Sequence, residues 1–275
     1  MEERIRELGR RGFETLLWTR VALQLRMGRG RRRPIPDLVR PTAVLKTEAQ
    51  WRAAVDECHR LGLPLHHQRE KNWDALGAVG AILSRTATSA EIVDAGSARY
   101  SPILPWFRLY GYSRLTGINL EFSGETRHGP VAFRHGNIVQ TDFEAGSLDA
   151  VTCMSVVEHG VPIVPFFTEM ARVLRPGGLL CVSTDYAEHP PPTTGLSAYG
   201  QPVKIFDPQG IESMVDIAAG LGLRLVGTLD LSHEEEPVHW KRMGLRYTFI
   251  LLTFERDLAT IDPPAGPAPE TARGE

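Results

Sequence analysis

Cysteine is scarce: Cys58, Cys153 and Cys181 are the three in 275 residues, and they lie far apart. No CxxC pair or Cys/His cluster offers a zinc site, and no even framework offers disulfides. Free thiols of this kind are expected in a reducing compartment. Long apolar runs are missing as well. None approaches the roughly 20 residues that a bilayer-spanning helix needs. The opening MEERIRELGRRGF carries charges where a signal peptide has its apolar core. A cytoplasmic chain without a membrane span is expected. Charge of one sign is not in excess either, with 31 Lys and Arg against 33 Asp and Glu. The chain therefore has no electrostatic reason to bind nucleic acid. What remains is the balance of a soluble globular protein, long enough for one large α/β domain with an extension or for two small domains.

Periodicity divides the chain. Ile5, Leu8, Phe13, Leu16, Leu17, Val21 and Leu25 recur at spacings near three and four, so residues 1–27 read as an amphipathic helix. Gly, Pro and a basic run over residues 28–36 break it. Further helices are expected over residues 48–61 and 72–83. From Glu91 the pattern changes to short apolar runs: EIVDA, RLTGI, VAFRH, LDAVTCM, LLCVST, LRLVGTL and YTFILLTF. Helical stretches over residues 103–110, 164–174 and 208–221 fit between several of them. Strands alternating with helices predict an α/β fold with a mostly parallel sheet covered on both faces. No clear helix precedes the last strand, which predicts that it runs antiparallel. Three parts follow: a helical extension over residues 1–85, an α/β domain over 86–257, and a disordered Pro- and Ala-rich tail over 258–275. There is no internal repeat.

Four segments carry chemistry. The first strand runs into VDAGSARYS, residues 93–101, an acid followed by a small-residue turn and a helix. An open parallel sheet grips ligands in this way, at the carboxyl ends of its strands. Gly96 permits close backbone approach, Ser97 follows it, and Asp94 can order the turn or face a ligand ammonium. The next strand ends in GINLE, where a carboxylate can accept two hydrogen bonds from vicinal ribose hydroxyls. Glu121 is the acid available there, with Asn119 on the same face of the strand. Then come HGNIVQTDFEAGSLDAVTCMSVVEHG and EMARVLRPGGLLCVSTDY. In the second of these, Pro176 and Gly177 are expected to stop a helix before an apolar strand.

In this order, over residues 91–255, the segments resemble class I S-adenosylmethionine (SAM)-dependent methyltransferases. VDAGSARYS looks like the first family motif, with Ala98 in place of the usual second glycine. GINLE matches the ribose-binding strand end, with Asn119 where the family usually has Asp. GNIVQTDF matches the adenine segment, which implies Asn137 at the adenine amino group and Ile138 against its ring. LDAVTCMSVVEH implies Met154 and Ser155 along the methionine part of SAM. VLRPGGLLCVS matches the fifth-strand motif. The resemblance further implies a Rossmann-like sheet of seven strands with the last antiparallel, SAM as cofactor, and a small-molecule acceptor of the kind met among bacterial glycan and natural-product enzymes.

Methyl transfer to a hydroxyl needs alignment and a base. The candidates are Glu158 and His159 beyond the fourth strand, Asp185 and Tyr186 beyond the fifth, and His233 and His239 in the loop before the last strand. An unperturbed imidazole titrates near pH 6.5, suited to the task. Related enzymes with an EH pair that bind a divalent metal have a carboxylate where this chain has Ser155, so no metal is expected. The stretch from Leu63 to Asp74 offers His66, His67, Lys71 and Trp73 to a polar, ring-bearing acceptor, and Pro-rich residues 187–203 read as a lid. The favoured reaction is O-methylation of a sugar-containing or polyhydroxylated molecule. N-methylation of a small amine and a non-catalytic SAM-fold module are the alternatives. A dinucleotide oxidoreductase would need further glycines where Ala98 and Tyr100 stand. The first helix is expected to support a homodimer in preference to lying on a membrane.

Overall fold

The computed structural model describes residues 2–28, 33–198 and 200–258, with side chains from residue 9 onward. The expected tail lies outside the described residues except for Leu258, as do Arg31 and Arg32 of the basic run and Tyr199 of the expected lid.

Each apolar run found in the sequence becomes a strand because one residue of every pair can be buried on each face. In chain order the elements are α1 (Glu2–Met27), β1 (Ala43–Val44), α2 (Glu48–Leu61), α3 (Lys71–Leu83), β2 (Glu91–Ala95), α4 (Ile103–Leu109), β3 (Arg114–Asn119), β4 (Thr126–His128), β5 (Val131–His135) and β6 (Leu148–Met154). They continue with α5 (Ile163–Val173), β7 (Leu174–Tyr186), β8 (Ser197–Ala198), β9 (Gln201–Pro202), α6 (Pro208–Gly220), β10 (Leu223–Leu225), β11 (Val238–Trp240) and β12 (Leu245–Arg256).

The main sheet runs β1-β12-β7-β6-β2-β3-β5-β4, with β10 and β11 also paired to β12. Strands β5, β3, β2, β6 and β7 are parallel, and β12 is antiparallel to β7. The seven expected strands are therefore present with the last reversed, and β1, β4 and β11 extend them. Alternation sends Ile92, Cys181 and Leu251 to a core under α2, α3 and α4. Val93, Leu180, Val182, Ile250 and Leu252 face a second core under α5 and α6. All three cysteines are buried. Burial pushes the thiols of Cys58 and Cys181 up to about 12, so they pack as small apolar groups.

Two local expectations need correction. LRLVGTL is a strand only over its first three residues, because Gly227, at φ +90°, turns the chain away soon afterwards. The helix before RPGG stops at Val173, ahead of Pro176. Leu174 is already extended and fully buried, and it pairs with Leu148 before a register shift. Gly178 makes that irregularity feasible, since a Cβ there would sit 2.9 Å from the Arg175 carbonyl oxygen.

Helix α1 is anchored to its own chain. Leu17, Trp18 and Val21 are buried. The Trp18 ring stacks on His128 at 4.6 Å, and Glu14 Oε1 lies 3.0 Å from His128 Nε2. Gln24 Nε2 donates to the Gly62 carbonyl at 2.8 Å. Leu16, Leu23 and Met27 remain exposed. Among the described residues no helix is long and apolar enough to cross a membrane.

Candidate active site

A cleft of about 720 Å³ opens where the carboxyl ends of β2, β3 and β6 meet the chain after β5. That is the usual size range and position for a small-molecule site in an open α/β sheet. Its wall includes Asp94, Gly96, Ser97, Asn119, Glu121, Asn137, Ile138, Met154 and Ser155. All the cofactor-binding candidates from the sequence thus converge on one cavity.

The first loop is built for close approach. Gly96 has φ +77°, and a Cβ on it would lie 2.5 Å from a Val156 methyl. The amides of Gly96 and Ser97 both donate to the Ile118 carbonyl at 2.9 Å, tying the loop to the end of β3. Asn119 adds a brace. Its Nδ2 donates to the Ser97 carbonyl at 2.9 Å, and its Oδ1 accepts from the Glu121 amide at 2.9 Å. Asn119 therefore spends its amide on the framework. Glu121 presents its carboxylate at the exposed rim. Asn137 holds its own turn, its Oδ1 accepting from the Val139 amide at 3.1 Å, beside the buried Ile138.

Deeper in, Asp94 Oδ1 accepts from Thr152 Oγ1 at 2.7 Å, and burial pushes this acid up to about 6. Ser155 has φ +54°, rare for a residue with a Cβ. Its amide donates to the Ser183 carbonyl at 3.0 Å. Its hydroxyl is buried at the cleft wall with no hydrogen-bond partner, a polar atom that a bound ligand would satisfy. The close-approach loop, the rim carboxylate and this orphaned hydroxyl together fit a nucleoside-bearing cofactor with a polar amino-acid end.

The base candidates separate. His159 lines the cleft, and burial together with the nearby Lys71 charge lowers its imidazole to about 4. It is neutral at pH 7. Glu158 turns away from the cleft and is buried, accepting from Thr184 Oγ1 at 3.1 Å. Adjacent residues leave a turn in different directions, so an imidazole facing the cleft sends its neighbour inward. His233 packs edge-on against Tyr186 at 5.4 Å, and His239 is exposed on β11 opposite Arg246. Neither borders the cleft.

The N-terminal residues contribute more wall than the sequence indicated. His66, His67 and Lys71, expected at an acceptor, do line the cleft, while Trp73 is buried in the core. Asp74, Arg10 and Arg11 also line it, and periodicity gave no signal for them. Gln201, from the β8–β9 hairpin of the expected lid, borders the opening. Among the described residues no group of three or more His, Cys, Asp or Glu side chains is placed to hold a metal ion.

Asp74 at the cleft wall and Glu158 and Asp185 outside it are buried, and the charge of Lys71 offsets part of the burial cost of each. Burial raises all three acids, and the charge of Asp185 raises Glu158 further. A carboxyl raised in the folded state favours folding at low pH, and that contribution is lost as pH climbs through its folded value. His66, His67 and His159 are lowered and act oppositely, but only below about 6.5. Asp185→Asn keeps the shape and removes the charge. Its stability advantage over the wild type should grow between pH 5 and pH 8 by at least about 1 kcal/mol, the value of roughly one pKa unit. Denaturant unfolding at the two pH values checks this, and an equal difference at both would contradict the burial argument.

The comparisons with known proteins agree with this geometry. Residues 93–182 match the family model described as a methyltransferase domain. A probable S-adenosylmethionine-dependent methyltransferase of Mycolicibacterium smegmatis is 41% identical over 58 residues, 21% of this chain. The match spans only 23% of that relative's length. The 1,6-didemethyltoxoflavin-N1-methyltransferase of Burkholderia thailandensis superposes with a TM-score of 0.50 at 15% identity, covering 78% of this chain and 96% of that one. A geranyl diphosphate C-methyltransferase from Streptomyces coelicolor gives a TM-score of 0.49 at 18% identity, over 77% and 85% of the two chains. Motif order, strand order and family match lead to one statement: residues 93–182 match a methyltransferase domain, and they lie in a Rossmann-like, mostly parallel sheet.

Proposed function

We propose that this chain binds SAM in the cleft and transfers a methyl group to a hydroxyl of a small polar acceptor, sugar-containing or polyhydroxylated. The observation that carries the reading is the meeting of the nine cofactor-binding candidates with His159 in one cavity. SAM, when bound, supplies a methyl group on a sulfonium with a good leaving group. The chain's own residues provide alignment and proton transfer. Glu121 accepts from the ribose hydroxyls. Asn137 and Ile138 hold the adenine, and Gly96, Ser97, Asp94, Met154 and Ser155 enclose the methionine end. His159 would take the proton of the acceptor hydroxyl, so that its oxygen can act as the nucleophile. A neutral imidazole is ready for this at pH 7.

Calorimetric titration with SAM and with NAD tests the cofactor assignment. Saturable heat with SAM and none with NAD is expected. Binding of NAD alone, or of neither, would defeat it.

The exposed Leu16, Leu23 and Met27 of α1 support a homodimer contact as part of the same reading. Leu23→Glu with Met27→Glu should then lower the mass seen by light scattering. A wild-type chain that is already monomeric would remove this contact from the proposal.

A further inference from the structure

Ser155 stands in a conformation that its neighbours have to hold. Its φ is +54°, and it is the one non-glycine residue with a positive φ among the described residues. A residue with a Cβ keeps such a backbone only where surrounding contacts over-determine it. Its amide makes those contacts. One bond, to the Ser183 carbonyl at 3.0 Å, continues the β6–β7 ladder past Met154, which is in register with Ser183. The same N–H also meets Ser183 Oγ at 3.2 Å, which no ladder requires. Ser183 Oγ in turn donates to Asp74 Oδ2 at 2.6 Å, and Asp74 Oδ1 accepts from the Ala75 amide at 2.8 Å. A hydroxyl has one hydrogen. With that hydrogen committed to Asp74, Oγ turns a lone pair to the Ser155 amide, so the acid sets the direction of the whole chain of bonds. Asp74 belongs to α3, 109 residues before Ser183 on β7. Ser183 is fully buried and does not border the cleft. Ser155 does, and its hydroxyl lies there buried without a partner.

We propose that Asp74 and Ser183 are positioning residues for the cofactor: together they hold Ser155 at its positive φ, so that its hydroxyl meets the methionine end of SAM. The inference deepens the methyltransferase reading and rests on it. It also gives the N-terminal extension a part in cofactor binding, because α3 supplies the acid that anchors the brace. A bond that merely fastened α3 to the sheet would need no link to Ser155. Its loss would lower thermal stability and leave ligand affinity alone.

The probe is S-adenosylhomocysteine, titrated calorimetrically into the full chain at pH 8, above the value of about 6 to which burial raises Asp74. Ser183→Ala changes no side chain that lines the cleft. It should nevertheless weaken S-adenosylhomocysteine about tenfold, the scale of one hydrogen bond to a charged group. Asp74→Asn should weaken it too, and should add less than about twofold on top of Ser183→Ala, because the acid acts through that hydroxyl. Ser155→Gly carries the deciding comparison. Glycine takes a positive φ without a brace. It loses the hydroxyl and some affinity with it, but adding Ser183→Ala should then cost less than about twofold. A Ser183→Ala chain that melts earlier yet binds S-adenosylhomocysteine as the wild type does overturns the inference. An equal loss on the serine and glycine backgrounds also overturns it. If Ser183→Ala fails to fold, Asp74→Asn on the same two backgrounds makes the same comparison. In each of these cases binding by the wild-type chain leaves the methyltransferase reading standing. Failure of the wild-type chain to bind S-adenosylhomocysteine removes both.

Discussion

His159→Ala is expected to slow methyl transfer to the true acceptor by about 10²-fold while leaving SAM affinity unchanged. The wider range for removing a general base is roughly 10²–10⁴. The lower end applies here because an imidazole lowered to about 4 is a weak base. The same value fixes the pH dependence. The base acts in its neutral form, so the rate should fall on the acidic side as pH drops through about 4, not through the ordinary imidazole value. Asp74 provides the contrast. It lines the same cleft, and burial raises it to about 6. An acidic limb near pH 6 that survives in His159→Ala would move the base to Asp74. Near-normal turnover in the variant with no limb at either value would leave alignment alone, and an amine acceptor would then fit better.

Glu121→Ala carries the second large effect. The carboxylate sits at the exposed rim with the Glu121 amide pinned by Asn119 Oδ1, so the backbone is fixed and the side chain faces the cleft wall. Removing a charged acceptor for two hydroxyls should weaken SAM by about 1–3 kcal/mol. That corresponds to roughly 5- to 150-fold in Kd. Asn119→Ala should weaken it through a different route, by loosening both loops, and its effect should include a loss of thermal stability that Glu121→Ala does not show. Calorimetry and melting curves on the two variants separate ligand from brace. Unchanged affinity in Glu121→Ala would shift the ribose role away from this acid.

The legible parts of this protein are those where chemistry repeats locally. Alternating runs such as EIVDA and LDAVTCM specify buried parallel strands, and a glycine after the first of them announces close approach. These signals are short-range and survive in sequence. The convergence of the nine proposed cofactor-binding residues on one cleft is legible for the same reason, since each lies near the end of a strand. Less legible was what long-range packing decides. His233 and His239 looked equivalent to His159 as residues, but their side chains are directed by contacts with Tyr186 and by pairing of β11 with β12. Arg10 and Arg11 belong to α1, where periodicity marks the apolar stripe and gives no signal for a residue at the cleft. Long-range contacts such as the Trp18–His128 stack, between residues 110 positions apart, tie this helix to the rest of the chain, and Arg10 and Arg11 line the cleft. Asp74 sits in a helix that is buried nearly all round, where periodicity identifies no functional face.

The most direct test of the account is a crystal structure of the chain with S-adenosylhomocysteine. The account predicts one molecule in the cleft, its ribose hydroxyls within hydrogen-bond distance of Glu121, its adenine against Ile138, and its sulfur turned toward the side where His159 and Lys71 stand. Density in another cavity, or a ribose held by groups other than Glu121 with the sulfur facing away from His159, would contradict it.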